Sequence, residues 1–240
     1  MKIPTDKLSA PLIFFLLILS TFLIVPKQGS EILVETRYDF KDFDALHLNS
    51  SIAVNVVQSE TFKIIVSCNE NFVKDVRIFK NGATLNLGMS KKKSYQNLKF
   101  SAEIHMPILK SLDLKGASKL TTNLSQEADL AVKISGASKI SAKVSLFNFM
   151  VNASGASVIE LNGKVRENAE MEINGASMIK AKKLIIDQNL KLKASGASTT
   201  EINVNGKLRA DLSGASRLRY GGNPENINVN ATGASSARKM

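Results

Sequence analysis

The sequence predicts an all-β protein whose C-terminal half is a parallel β-solenoid, a β-helix-like coil with about 19–20 residues in each turn. The first observation is the triplet Gly-Ala-Ser, which occurs seven times, its starts separated by 20, 19, 20, 21, 18 and 19 residues. The second is the alternation of apolar and polar side chains before every triplet, which is typical of strands buried on one face. The third is a charge pattern that is complementary only if successive repeats lie side by side.

The first 29 residues differ from the rest of the chain and predict an export segment. Lys2 and Lys7 precede an apolar run from Ala10 to Val25, and a polar exit follows. This order is typical of a signal peptide, whereas the lack of an A-x-A cleavage sequence also fits an uncleaved N-terminal anchor. Under both alternatives the body of the protein is exported. Only an uncleaved segment would bring it into contact with a membrane.

Residues 30–109 lack the triplet but are also predicted to be β-rich. Apolar and polar side chains alternate over 52–56, which predicts a strand. The dipeptide Asn81-Gly82 separates two further apolar segments and predicts a hairpin turn. A short helical turn is predicted over residues 70–75.

The chain contains few side chains with reactive or metal-binding chemistry. Cys68 is the single cysteine, so no internal disulfide is expected, and its alternating surroundings predict a small buried hydrophobic residue rather than a reactive thiol. His47 and His105 are far apart and lack the spacing of metal ligands. The sequence therefore predicts no metal site, no cofactor and no catalytic residue.

Each unit of the segment 110–240 is predicted to contain two strands joined by a corner at the triplet. The residues two, four and six positions before the glycine of each triplet are apolar in 20 of 21 cases. The residue three positions before that glycine is polar in all seven triplets. Glycine permits a backbone conformation that other residues resist, so the corners are assigned to Gly116, Gly136, Gly155, Gly175, Gly196, Gly214 and Gly233. A second corner is predicted near Asn162-Gly163, Asn205-Gly206 and Gly221-Gly222.

Two arrangements fit a unit of two strands and two corners, a solenoid and an antiparallel meander. In a solenoid, equivalent positions stack about 4.8 Å apart, so Asp113 lies beside Lys133, and Lys193 lies between Glu172 and Asp211. Opposite charges on adjacent strands contribute roughly 0.2–1 kcal/mol per pair. In a meander the same residues would lie on non-adjacent strands, and the charge pattern therefore favours the solenoid.

Residues 36–238 resemble a widespread family of bacterial envelope proteins. The resemblance rests on the opening Phe-Asp-Ala-Leu at 43–46, the alternating strand after it, Glu70-Asn71, Asn81-Gly82 and the Gly-Ala-Ser ladder. These features are similar to those of the DUF2807 family, the putative auto-transporter adhesin, head GIN domain. The resemblance implies a right-handed β-solenoid in the periplasm, at the outer membrane or on the cell surface of a Gram-negative bacterium. It brings no catalytic motif with it.

The formal net charge of the chain is +11. Nucleic acid is not the expected partner, because the basic residues are dispersed, aromatic residues are few and the chain is exported. An acidic polymer or an anionic membrane surface would fit this charge better. The alternative is a solvated basic surface without a partner.

A binding or adhesion module of the envelope is the first function class that the sequence leaves open. A solenoid presents flat faces with regularly spaced side chains, which suit a glycan, an envelope protein or a host protein. The candidate binding ladder is Ser118, Lys119, Ser138, Lys139, Ser157 and Ser177. The alternative for the serines is that their hydroxyls satisfy backbone groups at the corners.

Two other function classes are weighed against a binding module. One is a structural or sensory envelope component, tethered by the N-terminal segment. The other is a polysaccharide-active β-helix enzyme, which would need two carboxylates facing one sugar, about 5–9.5 Å apart. Acidic residues of the predicted column instead alternate with Lys or Asn, which fits ion pairing. We therefore predict a protein that is not an enzyme.

Overall fold

The computed structural model describes residues 26–91 and 93–240, which form two large sheets on either side of one core. The predicted signal peptide or anchor lies outside the described residues up to position 25. The all-β parallel solenoid predicted from the repeats is confirmed, because the strands of the triplet region pair in parallel at a spacing of one unit.

The strands of the segment before the first triplet are short, and one 3₁₀ helix lies among them. In chain order these elements are β1 (Lys27–Gln28), β2 (Leu33–Tyr38), β3 (Ala45–Leu48), β4 (Ala53–Gln58), β5 (Lys63–Asn69), the 3₁₀ helix (Glu70–Asp75), β6 (Val76–Asn81), β7 (Thr84–Met89), β8 (Tyr95–Gln96), β9 (Phe100–Met106) and β10 (Ser111–Leu114). The helical turn predicted over 70–75 is therefore confirmed. So is the hairpin turn at Asn81-Gly82, because β6 and β7 are antiparallel and Asn81 lies opposite Thr84.

The strands of the triplet region follow at regular intervals. They are β11 (Lys119–Ser125), β12 (Leu130–Ile134), β13 (Lys139–Leu146), β14 (Phe149–Ala153), β15 (Val158–Val165), β16 (Asn168–Ile173), β17 (Met178–Ile186), β18 (Asn189–Ala194), β19 (Thr199–Val204), β20 (Lys207–Leu212), β21 (Arg217–Gly221), β22 (Asn226–Ala231) and β23 (Ser236–Lys239). Even-numbered strands from β10 onward belong to sheet 1, and odd-numbered strands from β11 onward belong to sheet 2. Each triplet therefore joins a strand of sheet 1 to a strand of sheet 2.

Strands of the segment before the first triplet extend both ladders. β3 pairs in parallel with β10 in sheet 1, and β4 pairs in parallel with β11 in sheet 2. β7 and β9 come later in the chain but pair with the other edges of β3 and β4. The chain thus forms one turn, lays the next turn on its outer side, and then crosses back to begin the triplet ladder.

Antiparallel strands close the solenoid at this end. In sheet 1 the edge strand β6 is antiparallel to β7, and in sheet 2 β5 and β2 add antiparallel pairs beyond β9. The 3₁₀ helix inserts Phe72 into the core, where its ring centroid lies 5.0 Å from that of Tyr95. Together these elements cover the terminal apolar layer, which a parallel coil alone would leave open to water.

The core is one continuous apolar layer between sheet 1 and sheet 2. Its side chains form columns, because each turn contributes residues at equivalent positions, as with the fully buried Leu114, Ile134 and Ile173. Burial of one such side chain contributes about 1.5–3 kcal/mol as an upper estimate. A single turn cannot bury its apolar face, so the turns stabilise one another.

Unequal spacings between the triplets are absorbed partly at the second corners and partly by irregularities in sheet 2. The corner predicted at Asn162-Gly163 is wrong, because both residues lie inside β15 and the chain turns at 166–167. Gly163 has a φ of 116°, and the register between β15 and β17 shifts between Glu160 and Asn162. The dipeptide therefore belongs to a strand irregularity, which glycine accommodates. Asn205 and Gly206 do form a second corner between β19 and β20.

The longest interval between triplets, 21 residues, contains a bulge in β17. Ala181 lies opposite Ile202 and Ile185 lies opposite Asn203, so the residues between them have no partner in β19. As a result two consecutive side chains, Lys182 and Lys183, are both exposed. A regular strand would have turned one of them toward the core.

Candidate functional site

The Gly-Ala-Ser corners stack on one another along the solenoid. All seven glycines have a φ between 69° and 85°, in the left-handed region. At Gly136 a Cβ atom would come within 2.3 Å of the carbonyl oxygen of Gly116 in the previous turn. The same oxygen accepts a hydrogen bond from the backbone N–H of Ala137 at 2.8 Å. Glycine is therefore required both by the backbone conformation and by the close approach of the turns.

The serines of the predicted binding ladder are directed into the protein. The Ser138 hydroxyl donates to the carbonyl oxygen of Ser135 at 2.9 Å and lies 3.3 Å from that of Gly116. The same bond to the carbonyl three residues earlier recurs at Ser118, Ser157, Ser177 and Ser216. Buried serines are Ser118, Ser138, Ser157, Ser177, Ser198 and Ser216. Their hydroxyls bond to the backbone or, at Ser198, to the Ser216 hydroxyl, and they are inaccessible to a surface ligand, which removes them from the candidate binding surface.

The two lysines of that ladder lie on the outside of sheet 2. Lys119 is exposed and lies opposite Lys139 on the adjacent strand. The ammonium group of Lys139 lies 2.8 Å from a carboxylate oxygen of Glu160. These lysines therefore belong to a larger charged surface and not to the serine column.

The charge column predicted on the outside of sheet 1 is present. Asp113 lies opposite Lys133, and Lys193 lies between Glu172 and Asp211. Asp113 makes its closest contacts elsewhere, because one of its carboxylate oxygens lies 2.9 Å from the ammonium group of Lys115 and 3.1 Å from His47 Nδ1. The predicted neighbours are thus adjacent, although the shortest contacts join other pairs.

The outward-facing residues of β11 to β23, here named the basic face, carry a large excess of positive charge. Its basic residues are Lys119, Lys139, Lys143, Lys164, Lys180, Lys182, Lys183, Arg217, Arg219 and Arg238. Its acidic residues, among these described strands, are Glu160 and Glu201. The outward residues of β10 to β22 in sheet 1 are nearly balanced, with Lys133, Lys191, Lys193, Lys207 and Arg209 against Asp113, Glu170, Glu172 and Asp211. Net charge is therefore concentrated on sheet 2.

Glu160 is held at the centre of the basic face by its neighbours. Its carboxylate oxygens lie 2.8 Å from the ammonium group of Lys139 and 3.2 Å from that of Lys180. Hydrogen bonds from these two lysines lower the pKa of the Glu160 carboxyl from 4.5 to about 2. The carboxylate therefore remains charged and paired over the physiological pH range.

A groove lies on the outside of sheet 1, around the second corner of the first triplet-containing turns. Its most exposed apolar side chains are Phe147, 44% exposed, and Met150, 49% exposed. Met150 lies opposite Ala131, and this small neighbour leaves a depression beside it. The polar side chains that line the groove are Lys110, Glu127, Asp129, Asn148, Asn168 and Glu170. We refer to this depression with its lining residues as the groove.

A ladder of side-chain amides fixes the polar edge of the groove. The Asn148 amide donates to Asp129 at 2.9 Å, Asn168 donates to Asn148 at 3.2 Å, and Asn189 donates to Asn168 at 2.8 Å. Each amide is therefore oriented by its neighbour in the adjacent turn. Two further carboxylates at the edge are ion-paired, Glu127 with Arg166 at 2.6 Å and Glu170 with Lys191 at 2.6 Å.

Within residues 26–91 and 93–240, no three His, Cys, Asp or Glu side chains are grouped so that they could hold a metal ion. The histidines form separate pairs with carboxylates, His47 with Asp113 and His105 with Glu103, the latter at 2.7 Å. Burial raises the pKa of the Cys68 thiol, which keeps it in the unreactive protonated form. No helix in the described part of the chain is both long and apolar enough to cross a membrane.

The groove was not predicted from the sequence, although two signals for it were present. Met150 occupies a position of β14 where the alternation places side chains outside, so an apolar residue there departs from the pattern. Phe147 precedes that strand at a corner, where a large aromatic residue is not needed for packing. An apolar residue at an outward position is thus the signal that would have located the site.

A family model described as putative auto-transporter adhesin, head GIN domain (DUF2807), matches residues 42–224. This match covers more than half of the chain and includes both the groove and most of the basic face. No functionally curated protein shows significant sequence similarity to the chain.

Crystal structures of several bacterial proteins share this fold. A putative adhesin from Bacteroides fragilis superposes with a TM-score of 0.84 at 19% identity, covering 89% of this chain and 100% of that chain. A putative adhesin from Parabacteroides merdae has a TM-score of 0.64 at 22% identity, covering 89% and 98%. A putative lipid binding protein from Parabacteroides distasonis has a TM-score of 0.68 at 18% identity, covering 90% and 100%. At these identities the similarity establishes the fold.

Proposed function

The chain belongs to the DUF2807 family of putative auto-transporter adhesins, head GIN domain, and from this membership we propose that it is an exported, non-catalytic adhesion module that binds a glycan in the groove. The observation that carries the proposal is the exposed pair Phe147 and Met150 beside an oriented row of amide and carboxylate groups. A concave, mainly apolar surface with a few convergent polar groups is the usual form of a ligand site.

The apolar side of the groove supports binding to the face of a sugar ring. Phe147 and Met150 leave nearly half of their surface exposed, and Ala131 gives room beside them. A pyranose ring presents C–H groups on one face, which can cover an aromatic ring and exclude water from it. Such a contact removes exposed apolar area without requiring a large hydrophobic partner.

The polar edge of the groove supports a glycan over an apolar peptide. Asp129, Asn148 and Asn168 hold their amide and carboxylate groups in fixed directions. Sugar hydroxyls can donate to and accept from such groups, whereas an apolar side chain would cover them without replacing their bonds to water. A glycan can therefore cover the apolar side chains with its C–H face and hydrogen-bond to the polar edge with its hydroxyls.

Export to the periplasm, the outer membrane or the cell surface is part of the proposal. It rests on the basic and apolar segment of residues 1–29 and on the family description. Protease treatment of intact cells, followed by sequencing of the mature N-terminus, tests it. A cleaved, protease-accessible chain supports surface adhesion, whereas a protected chain that keeps its apolar segment supports the tethered structural or sensory component instead.

The glycan proposal is tested with an array of purified bacterial and host glycans, probed with the wild-type chain and with Phe147→Ala. We expect Phe147→Ala to weaken binding to the recognised glycan by about tenfold, the loss of one stacking contact of about 1.4 kcal/mol. The matched control is Phe79→Ala on β6, which removes an aromatic ring of 53% exposure on the edge strand of sheet 1, away from the groove. Equal binding by both variants, or binding only to proteins, would contradict a glycan site in the groove.

A further inference from the structure

Positive charge is unevenly distributed between the two outer surfaces of the solenoid. The basic face of sheet 2 has ten basic and two acidic side chains, whereas the corresponding strands of sheet 1 have five and four. The groove lies on sheet 1, so this charge serves no purpose in the function proposed above. An asymmetric surface of one sign is typical of a site for an oppositely charged partner.

Several side chains of the basic face have no acidic partner. Lys143 and Lys183 are both exposed and make no ion pair within the described residues, in contrast to Lys139 and Lys180, which share Glu160. Other basic side chains of the face without an ion pair there are Lys119, Arg217 and Arg238. Their charges are available to an external anion.

The unpaired lysines lie in a regular column. Lys143 lies opposite Asn162, and Asn162 lies opposite Lys183 on the next strand. The two lysines are therefore separated by two strand spacings, roughly 9–10 Å. The β17 bulge adds Lys182 beside Lys183 and so increases the local charge. Lys143 is paired with a strand on each side and Lys183 is paired with β15, so this spacing is set before any ligand binds.

From this arrangement we propose that the basic face binds an acidic polysaccharide whose carboxylates pair with Lys143, Lys183 and their basic neighbours. The polymer lies along the solenoid axis and crosses successive strands. This site is separate from the groove and independent of the function proposed for it.

The residues between the lysines favour a polysaccharide over a lipid bilayer. Asn123 and Asn162 occupy the same column, and Thr121 and Ser141 lie in the adjacent one. Their amides and hydroxyls can hydrogen-bond to sugar hydroxyls between the charged groups. The outward residues of β11 to β23 include no aromatic side chain, and aromatic residues are what commonly anchor proteins at a membrane interface.

The test measures binding of the full chain to immobilised polygalacturonate at an ionic strength of about 50 mM, where exposed charges are weakly screened. The test variant is Lys143→Glu with Lys183→Glu. The control variant, Lys133→Glu with Lys193→Glu, makes the same change in net charge on sheet 1. We expect the test variant to bind at least about tenfold more weakly and the control less than about threefold more weakly, because short-range pairing depends on position and net charge does not.

Four results would overturn the proposal. Equal weakening by both variants would show that only the net charge matters. Absence of wild-type binding to polygalacturonate, or equal binding to neutral dextran, would exclude an acidic polysaccharide. Binding to phosphatidylserine–phosphatidylcholine vesicles that polygalacturonate does not displace would assign the face to a lipid surface. Phe147→Ala should leave polygalacturonate binding unchanged, so a failure here is distinguishable from a failure of the groove.

Discussion

Alanine at Gly136 should destabilise the protein far more than alanine at Gly116, although both glycines begin the same triplet. Their φ values are similar, 77° and 85°. A Cβ atom at Gly136 would approach the carbonyl oxygen of Gly116 to 2.3 Å, whereas a Cβ atom at Gly116 would come no closer than 3.5 Å to its nearest neighbour, the backbone nitrogen of Ser50. Alanine at Gly116 therefore measures the free-energy cost of the left-handed backbone conformation alone. Alanine at Gly136 adds the cost of the steric clash with the corner of the previous turn.

The expected magnitudes follow from these distances. A left-handed alanine costs roughly 1–2 kcal/mol at either position. At Gly136 the corner must also shift away from Gly116, which strains the 2.8 Å hydrogen bond from Ala137 to that carbonyl. Overpacking of this kind costs typically about 1–3 kcal/mol and a lost hydrogen bond about 1 kcal/mol. We therefore expect Gly136→Ala to be about 2–4 kcal/mol less stable than Gly116→Ala.

Urea unfolding followed by circular dichroism measures this difference. The midpoint concentrations of the two variants are compared, since the slope of the free energy with urea depends on the surface exposed and should be the same for both. Equal midpoint urea concentrations for the two variants would refute the reasoning. They would mean that adjacent corners can move apart without a loss of free energy of unfolding.

Three further predictions concern other buried or paired groups. Ser157→Ala removes the 2.8 Å hydrogen bond from the hydroxyl to a backbone carbonyl and should lower the free energy of unfolding by about 1 kcal/mol in urea titrations. The pKa of Glu160, lowered to about 2 by Lys139 and Lys180, means that its stabilising contribution is complete above pH 4.5 and is lost as the pH falls toward 2. Unfolding of Glu160→Gln should accordingly depend less on pH in that window, and an unchanged profile would contradict the pairing. The Cys68 thiol, buried and with a raised pKa, should react with an alkylating reagent only after unfolding, as followed by mass spectrometry.

The triplet region could be predicted from the sequence because every unit repeats one pattern. Aligning the glycines gives the register directly, so the sequence alone identifies both neighbours of Lys193 correctly. The corner at Asn162-Gly163 was wrong because a glycine in a strand irregularity has the same local signature as one in a turn. Local sequence specifies the backbone conformation but not whether the chain reverses there.

The order of turns before the first triplet could not be predicted. β7 and β9 lie outside β3 and β4, although they follow them in the chain. Alternation of side chains identifies each strand but says nothing about which neighbour it pairs with, and no triplet marks the register there. The candidate sites escaped prediction for a related reason, because a surface such as the column of Lys143 and Lys183 exists only once several turns have been stacked.

The constant sequence distance between paired strands has a consequence for how the chain reaches its folded state. In the triplet region a residue pairs with one 18 to 21 positions away, as with Asp113 and Lys133, Asn168 and Asn189, or Thr199 and Arg217. Every added turn therefore closes a loop of nearly the same size, and the entropic penalty per step does not grow with the length already formed. The antiparallel hairpin of β6 and β7, with its two-residue connection, closes the shortest loop among the described strand pairs and supplies a starting template. Folding should then begin at the end capped by β6 and β7 and add one turn after another. A variant with one duplicated unit should therefore be more stable, while formation of the β6–β7 hairpin should be no slower.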